Sequence, residues 1–226
     1  MDLLDRAPTL FLLSPASATG RRALQLAAPR ASFPAAGRLR SSEGLPIGEA
    51  FCFMSALYFR GKLAYARRFA SAWAESAELP EQPGYGGSAH GVNMHLVPEA
   101  GSILIIAPGF GLVTPEWPLT ADRLRRLART PVDPARRGYS APLRRHAREL
   151  AARLPAAGRI VLLGSIATGK YLDLLLPILG ERLLFPRAFA GTGDMRRGAM
   201  MLRAAASGEE LEYAAAFRTA RVSAPS

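Results

Sequence analysis

Cysteine is nearly absent from this chain of 226 residues: Cys52 stands alone. One thiol excludes an internal disulfide framework and any multi-cysteine metal site. Its neighbours Phe51, Phe53 and Met54 mark it as a buried, inert thiol rather than a nucleophile. Lysine is almost as scarce. Of the 29 basic residues only Lys62 and Lys170 are lysine, and the rest are arginine. Long apolar runs are missing too: none approaches the roughly 20 residues a bilayer-spanning helix needs, so no membrane partner is expected. The opening MDLLDRAPTLFLLSPAS puts two aspartates ahead of a short apolar stretch, which reads as a first strand rather than a signal peptide. A reducing cytoplasm is the expected compartment.

Acidic residues are also few, 18 against the 29 basic ones, for a net charge of +11. Such an excess suits an anionic partner: a nucleotide, a nucleobase derivative or nucleic acid. Heavy use of Arg, Ala, Gly and Pro also fits GC-rich coding, which offers a compositional origin for the same charge. On that view the two lysines carry more information than the arginines. Each follows a glycine, and a lysine is a compact charge that sits over a phosphate or shifts its pKa when buried.

What is present points to one α/β domain over residues 1–226. Residues 10–13 (LFLL), 103–106 (ILII) and 160–163 (IVLL) are continuous apolar runs that end in turn-forming residues, the pattern of strands buried on both faces. Helical patterns separate them. One runs from residue 47 to about 73, with Gly61 as a candidate break. Thr120 is placed to cap a helix reaching Arg129. Ser140 is placed to cap another, with Pro142 in its first turn and Leu143, Ala147, Leu150, Ala151 and Leu154 as its apolar stripe. Residues 182–185 read as a further strand. Residues 199–217, broken at Ser207-Gly208, read as a closing hairpin, with helix-then-strand as the alternative. The expected architecture is a three-layer α/β sandwich with a mostly parallel central sheet and that C-terminal hairpin. Residues 80–101 are too rich in Gly and Pro for regular structure. They hold His90 and His95, whose spacing suits no metal pair, so no metal or cofactor is implied.

The loop GSIATGKY, residues 164–171, has the spacing of a Walker A motif after a strand and before a helix. Tyr171 stands where a small magnesium-binding hydroxyl is required, and no strand ends in the matching acidic residue, which argues against ATP hydrolysis. An anion loop remains. Both LSPASATGRR and LGSIATGKY join a strand to a helix through Ala-Thr-Gly and a basic residue, the ingredients of an anion site at the carboxyl edge of a parallel sheet. The candidates are Thr19, Gly20 and Arg21 from the first loop, Gly164, Ser165, Thr168, Gly169 and Lys170 from the later one, and Arg60 and Lys62 from the long helix. A plain strand-to-helix turn is the competing reading.

Two acidic glycine turns supply candidate general acids or bases: Glu43 and Glu49 in SEGLPIGE, and Asp194 beside two arginines in GTGDMRRG. Helix capping and surface turns are the alternatives. Ten arginines lie between Arg123 and Arg153, and Arg144, Arg145, Arg148 and His146 read as a basic helix face that follows a phosphate backbone. No zinc finger, helix-turn-helix signature or aromatic RNA-binding pattern accompanies them.

Residues 105–116, IIAPGFGLVTPE, followed by a helical stretch and the strand RIVLLGS, resemble the α/β domains of the uracil-DNA-glycosylase-like and YaaA-like groupings. The likeness spans residues 102–180, about a third of the chain. It rests on Gly111, Leu112, Val113 and Glu116, with Thr114 intervening before Pro115. The glycosylase water-activating and histidine motifs have no counterpart. The resemblance implies the α/β fold and a nucleic-acid or modified-nucleobase substrate class, and it adds Glu116 to the candidate catalytic residues. Three functions follow: an enzyme for a phosphorylated or nucleoside-like ligand at the sheet edge, a non-specific nucleic-acid-binding module using residues 123–153, or a scaffold without catalysis.

Overall fold

The three apolar runs form the middle of one sheet. The computed structural model describes residues 8–71, 103–166 and 168–216. Strands β1 (Thr9–Leu13), β3 (Ile103–Ala107) and β6 (Arg159–Leu163) lie side by side in parallel, and β7 (Leu183–Pro186) joins β6 in the same sense. Two short strands, β4 (Gly111–Val113) and β8 (Tyr213–Ala215), run antiparallel along the outside. The order is β4-β3-β1-β6-β7-β8. A separate two-stranded ribbon pairs β2 (Leu45–Pro46) with β5 (Pro118–Leu119).

Side-chain alternation divides the core in two. Phe11, Leu13, Ile105 and Leu163 face one side, against α1 (Arg21–Ala27), α2 (Pro34–Arg40), α3 (Ile47–Phe69), α4 (Ala121–Arg129) and α7 (Asp194–Ser207). Leu10, Leu12, Ile106 and Leu162 face the other, against α5 (Arg137–Arg153) and α6 (Gly169–Leu179). With helices on both faces, every residue of β1 and β3 is buried, which is why those strands are apolar without alternation. Each such side chain contributes on the order of 2 kcal/mol relative to exposure. The three-layer α/β sandwich with a mostly parallel sheet is therefore observed.

Three local expectations are corrected. First, α3 breaks at Ala56 (φ 41, ψ −116), not at Gly61. Gly61 stays helical because it is the contact point with α7: a Cβ there would lie 2.6 Å from the Gly198 carbonyl oxygen. A Cβ on Gly198 would lie 3.0 Å from both Leu57 O and Tyr58 Cα, so the two helices touch backbone to backbone. The positive φ at Ala56 stores strain of about 1–3 kcal/mol. Second, α5 begins at Arg137, a turn before Ser140, whose hydroxyl donates to Arg136 O at 3.1 Å from within the helix. The added turn is held by Tyr139, buried and donating its hydroxyl to Lys170 O at 3.0 Å.

Third, the expected C-terminal hairpin is not formed. Residues 194–207 are the helix α7, ended by Gly208 in the left-handed conformation (φ 78), and β8 follows. Gly198, Met201 and Ala204 recur at helical spacing and are buried, which favours helix over hairpin. The Tyr213 and Tyr65 hydroxyls meet at 2.7 Å, and Leu211 N donates to Tyr65 Oη at 2.9 Å, tying β8 to α3. Thr120, by contrast, caps α4 as expected, accepting from Arg123 N at 3.4 Å. His90 and His95 lie outside the described residues.

The glycine contacts separate two substitutions by sign. Gly61→Ala should lower stability by about 1–3 kcal/mol, because backbone must move to admit the methyl group. Gly37→Ala, in α2 with no atom within 4 Å of its Cβ position, should raise it by about 0.5–1 kcal/mol. Urea midpoints at unchanged m-value measure both.

Candidate functional site

Ser14 is the first polar residue after the apolar run of β1. Its amide donates to Leu163 O at 3.2 Å and extends the ladder to β6, so the residue is held at the carboxyl edge of the sheet. Gly164, the next residue of the neighbouring strand, makes room for it: a Cβ there would lie 2.9 Å from Ser14 Cβ.

Lys62 descends onto this point from α3. Its Nζ donates to Ser14 O at 3.0 Å and lies 2.7 Å from Ser14 Oγ. It also stands 3.9 Å from the centroid of the Tyr58 ring. Only 1% of Lys62 is exposed, and no carboxylate among the described residues forms an ion pair with it. A buried ammonium without a counterion loses several kcal/mol of solvation, which favours the neutral amine. Burial accordingly pulls its pKa down to about 7, with Asp194 opposing the shift and Arg197 adding to it. As an ammonium it donates to both Ser14 oxygens; deprotonated, it keeps the bond to Ser14 O and has a lone pair able to accept from Ser14 Oγ–H. Lys62 then sits as a base beside a hydroxyl.

Two phenols complete the cluster. Tyr171, in the first turn of α6, directs its hydroxyl toward Ser14, and burial holds its pKa up at about 12. The Tyr58 hydroxyl is buried with no hydrogen-bond partner among the described residues, although Arg197 and Ser14 are near enough to offset part of the rise that burial causes. Arg197 is fixed by bonds to Phe189 O at 2.8 and 3.2 Å and by Asp194 Oδ1 at 3.4 Å. Beside the cluster opens a cleft of about 600 Å³, with Ala16, Thr19, Phe51, Thr130, Lys170 and Tyr171 on its walls.

The residues expected from sequence are partly gathered here. Thr19 and Lys170 line the cleft, Lys62 lies in the cluster beside it, and Gly164 packs on Ser14. Gly20 and the exposed Arg21 start α1 without lining the cleft, and Ser165 and Thr168 lie in the approach to α6. Gly169 does not present a bare helix terminus, because the Asp173 side chain lies against it. Arg60 is exposed and away from the cleft. Among the acidic candidates, Glu43 and Glu116 are exposed in turns, and Glu49 pairs with Arg38 at 2.8 Å. Only Asp194 acts on the cluster, through Arg197 and through space.

Arg144 and Arg148 are exposed on α5, as a basic face requires. His146 is not part of that face, since it is 3% exposed and lies inside. Helix phase explains the difference: position 146 is three residues after Leu143 and adjoins Ala147 on the apolar stripe. Cys52 is half-buried, and burial raises its thiol pKa, with Arg60 opposing.

Sequence reasoning named Lys62 and Gly164 but missed Ser14, Tyr58 and Tyr171 as chemical groups. The available signal was a serine directly after the apolar run of residues 10–13. No family model, curated protein or solved structure matches the chain.

The Lys62 shift has a signed consequence. The group titrates near 10.5 when unfolded and near 7 when folded, so between those values the unfolded chain binds more protons and stability rises with pH. From pH 7 to 9 the wild type should gain on Lys62→Met by up to about 1.4 kcal/mol per pH unit, the limit for one proton. Below pH 7 the difference should level off. Urea unfolding of both proteins across that range checks it.

Proposed function

We propose that the protein is an enzyme that takes a phosphorylated or nucleoside-like molecule into the cleft at the carboxyl edge of its sheet, with Ser14 as nucleophile and Lys62 as its general base. The observation that carries the reading is the 2.7 Å contact between Lys62 Nζ and Ser14 Oγ in a buried setting where no carboxylate of the described residues pairs with the amine. A nucleophilic hydroxyl needs an adjacent base whose pKa lies near the working pH, and a desolvated lysine supplies one.

The step balances within the cluster. As Ser14 Oγ bonds to the acyl carbon or phosphorus of the substrate, its proton passes to Lys62 Nζ. The leaving group departs with that proton, restoring the neutral amine. Water, deprotonated by the same amine, then releases the covalent intermediate and regenerates Ser14. The Tyr58 hydroxyl, buried beside Ser14 and without a hydrogen-bond partner among the described residues, is suited to the oxyanion that develops. Lys170 and Arg129 supply the cleft's positive charge for a phosphate or other anionic group. The likeness of residues 105–116 to nucleobase-handling domains supports a nucleoside-like substrate class.

A fluorophosphonate probe tests the nucleophile without knowledge of the substrate. It should label Ser14, as mapped by peptide mass, with a rate that rises through an apparent pKa near 7. Ser14→Ala should abolish labelling, and Lys62→Met should slow it by about a hundredfold or more, the scale of general-base removal. Absence of labelling at Ser14, or labelling indifferent to Lys62→Met in variants with native circular dichroism, would sink the reading. In a thermal-shift series, nucleoside monophosphates should raise the wild-type Tm, and part of that rise should be lost in Lys170→Ala.

A further inference from the structure

A second cleft, of about 470 Å³, lies on the far side of α4 from the first. Gly109 and Phe110 of the β3–β4 turn, Arg123 and Arg126 of α4, and Arg145 and His146 of α5 bound it. It is strongly basic, with three guanidinium groups on its walls. Of the acidic side chains nearby, Asp122 is engaged with Arg125 at 2.6 Å, and Glu149 reaches Arg145 Nε only at 3.9 Å.

The arginines are held in place by aromatic faces and carbonyls. Arg126 donates to Gly109 O at 2.8 Å and lies 4.5 Å from the Phe110 ring centroid. Arg123 lies 4.5 Å from the Trp117 centroid and donates to Pro118 O. The two rings are 4.9 Å apart. Much of the ordering that arginine usually undergoes on binding an anion is therefore already done.

His146 supplies the decisive detail. Leu112 N–H donates to its Nδ1 at 2.9 Å, and an amide nitrogen has no other role to play, so Nδ1 is an acceptor. A neutral ring then carries its one proton on Nε2. Arg145 Nη2, which has only donors, stands 3.1 Å from that same Nε2. Two N–H groups thus face each other with no acceptor between them among the described residues. A second ring proton does not resolve the conflict, since it would point into the Leu112 amide. Burial and the Arg145 charge also disfavour the imidazolium. An oxyanion seated against both groups removes the conflict. Gly111 is required for this arrangement, because a side chain there would overlap the His146 ring.

We propose that this cleft is a binding site for a phosphoryl oxyanion, which accepts from His146 Nε2 and Arg145 Nη2, while Arg123 and Arg126 contribute charge. The site is separate from the Ser14 cluster and stands or falls without it. Phosphate from a free nucleotide and phosphate from a nucleic-acid backbone share the chemistry, and the test distinguishes them.

The probes are inorganic phosphate, a nucleoside monophosphate and a short single-stranded oligonucleotide, titrated into the full chain with ¹⁵N-labelled histidine. The expected result is a shift of the His146 ring nitrogens, assigned against His146→Gln, and affinity lowered about tenfold or more in Arg145→Gln, the loss of one charge-assisted hydrogen bond. Lys170→Ala, in the other cleft, should leave that affinity unchanged. A response to the oligonucleotide alone, declining steeply with salt and lost in Arg145→Gln, identifies the backbone as the source. Silence of the His146 ring with all three probes overturns the proposal. So does oligonucleotide binding that fails in Arg144→Gln or Arg148→Gln but survives in Arg145→Gln.

Discussion

The backbone contact between Gly61 on α3 and Gly198 on α7 governs the geometry of the sheet's carboxyl edge. Without side chains at those positions the helices approach until backbone meets backbone. Lys62 is the next residue after Gly61, and Arg197 the one before Gly198, so the same crossing delivers both side chains to one place. A wider spacing would lift Lys62 away from Ser14 and open the Tyr58 hydroxyl to water. The break at Ala56 belongs to the same construction, because it redirects α3 just ahead of Leu57 and Tyr58, which touch Gly198. Strain in the backbone and a buried amine are both unfavourable by themselves, and they occur together where two helices meet backbone to backbone.

The two clefts share a partition. Helix α4 and the turn after β3 stand between them: Leu127 and Thr130 border one, Arg123 and Arg126 the other, and Pro108 and Gly109 divide similarly. The sheet places Ser14 just past the end of a central strand, where its amide bonds to Leu163 O of the neighbouring strand, while the second cleft is built beside the edge strand β4. A rigid centre suits bond-making, and a basic margin suits capture of charge.

Much of the fold was legible because it is written locally. Residues 10–13, 103–106 and 160–163 declare buried strands by composition alone, and Thr120 announces α4 one residue before it begins. The misreadings have physical causes. Gly61 looks like a helix breaker in isolation, yet its missing side chain serves packing against a residue 137 positions away, which no local rule detects. Residues 199–217 read as a hairpin because small residues are indifferent between strand and helix until a partner surface chooses. The site was legible only in part for the same reason. Lys62 stood out by scarcity, but its partner Ser14 lies 48 residues earlier, and nothing local links them. The basic loops of LSPASATGRR and LGSIATGKY look equivalent as strings. In three dimensions one lends Thr19 and the other Lys170 to the cleft, while Asp173 covers Gly169.

The burial of Lys62 has one further consequence, for the chemistry of the surface. The chain has two lysine side chains, and one of them is sealed inside. Lys170 is therefore the single exposed side-chain primary amine among 226 residues, and it stands on the wall of the central cleft. Acylation, carbamylation or reductive alkylation of amines, reactions that scatter over most protein surfaces, has one side chain to act on here. Against a surface made cationic by guanidinium groups that do not take part, this protein carries its reactive nitrogen in the one place where modification would also narrow that cleft.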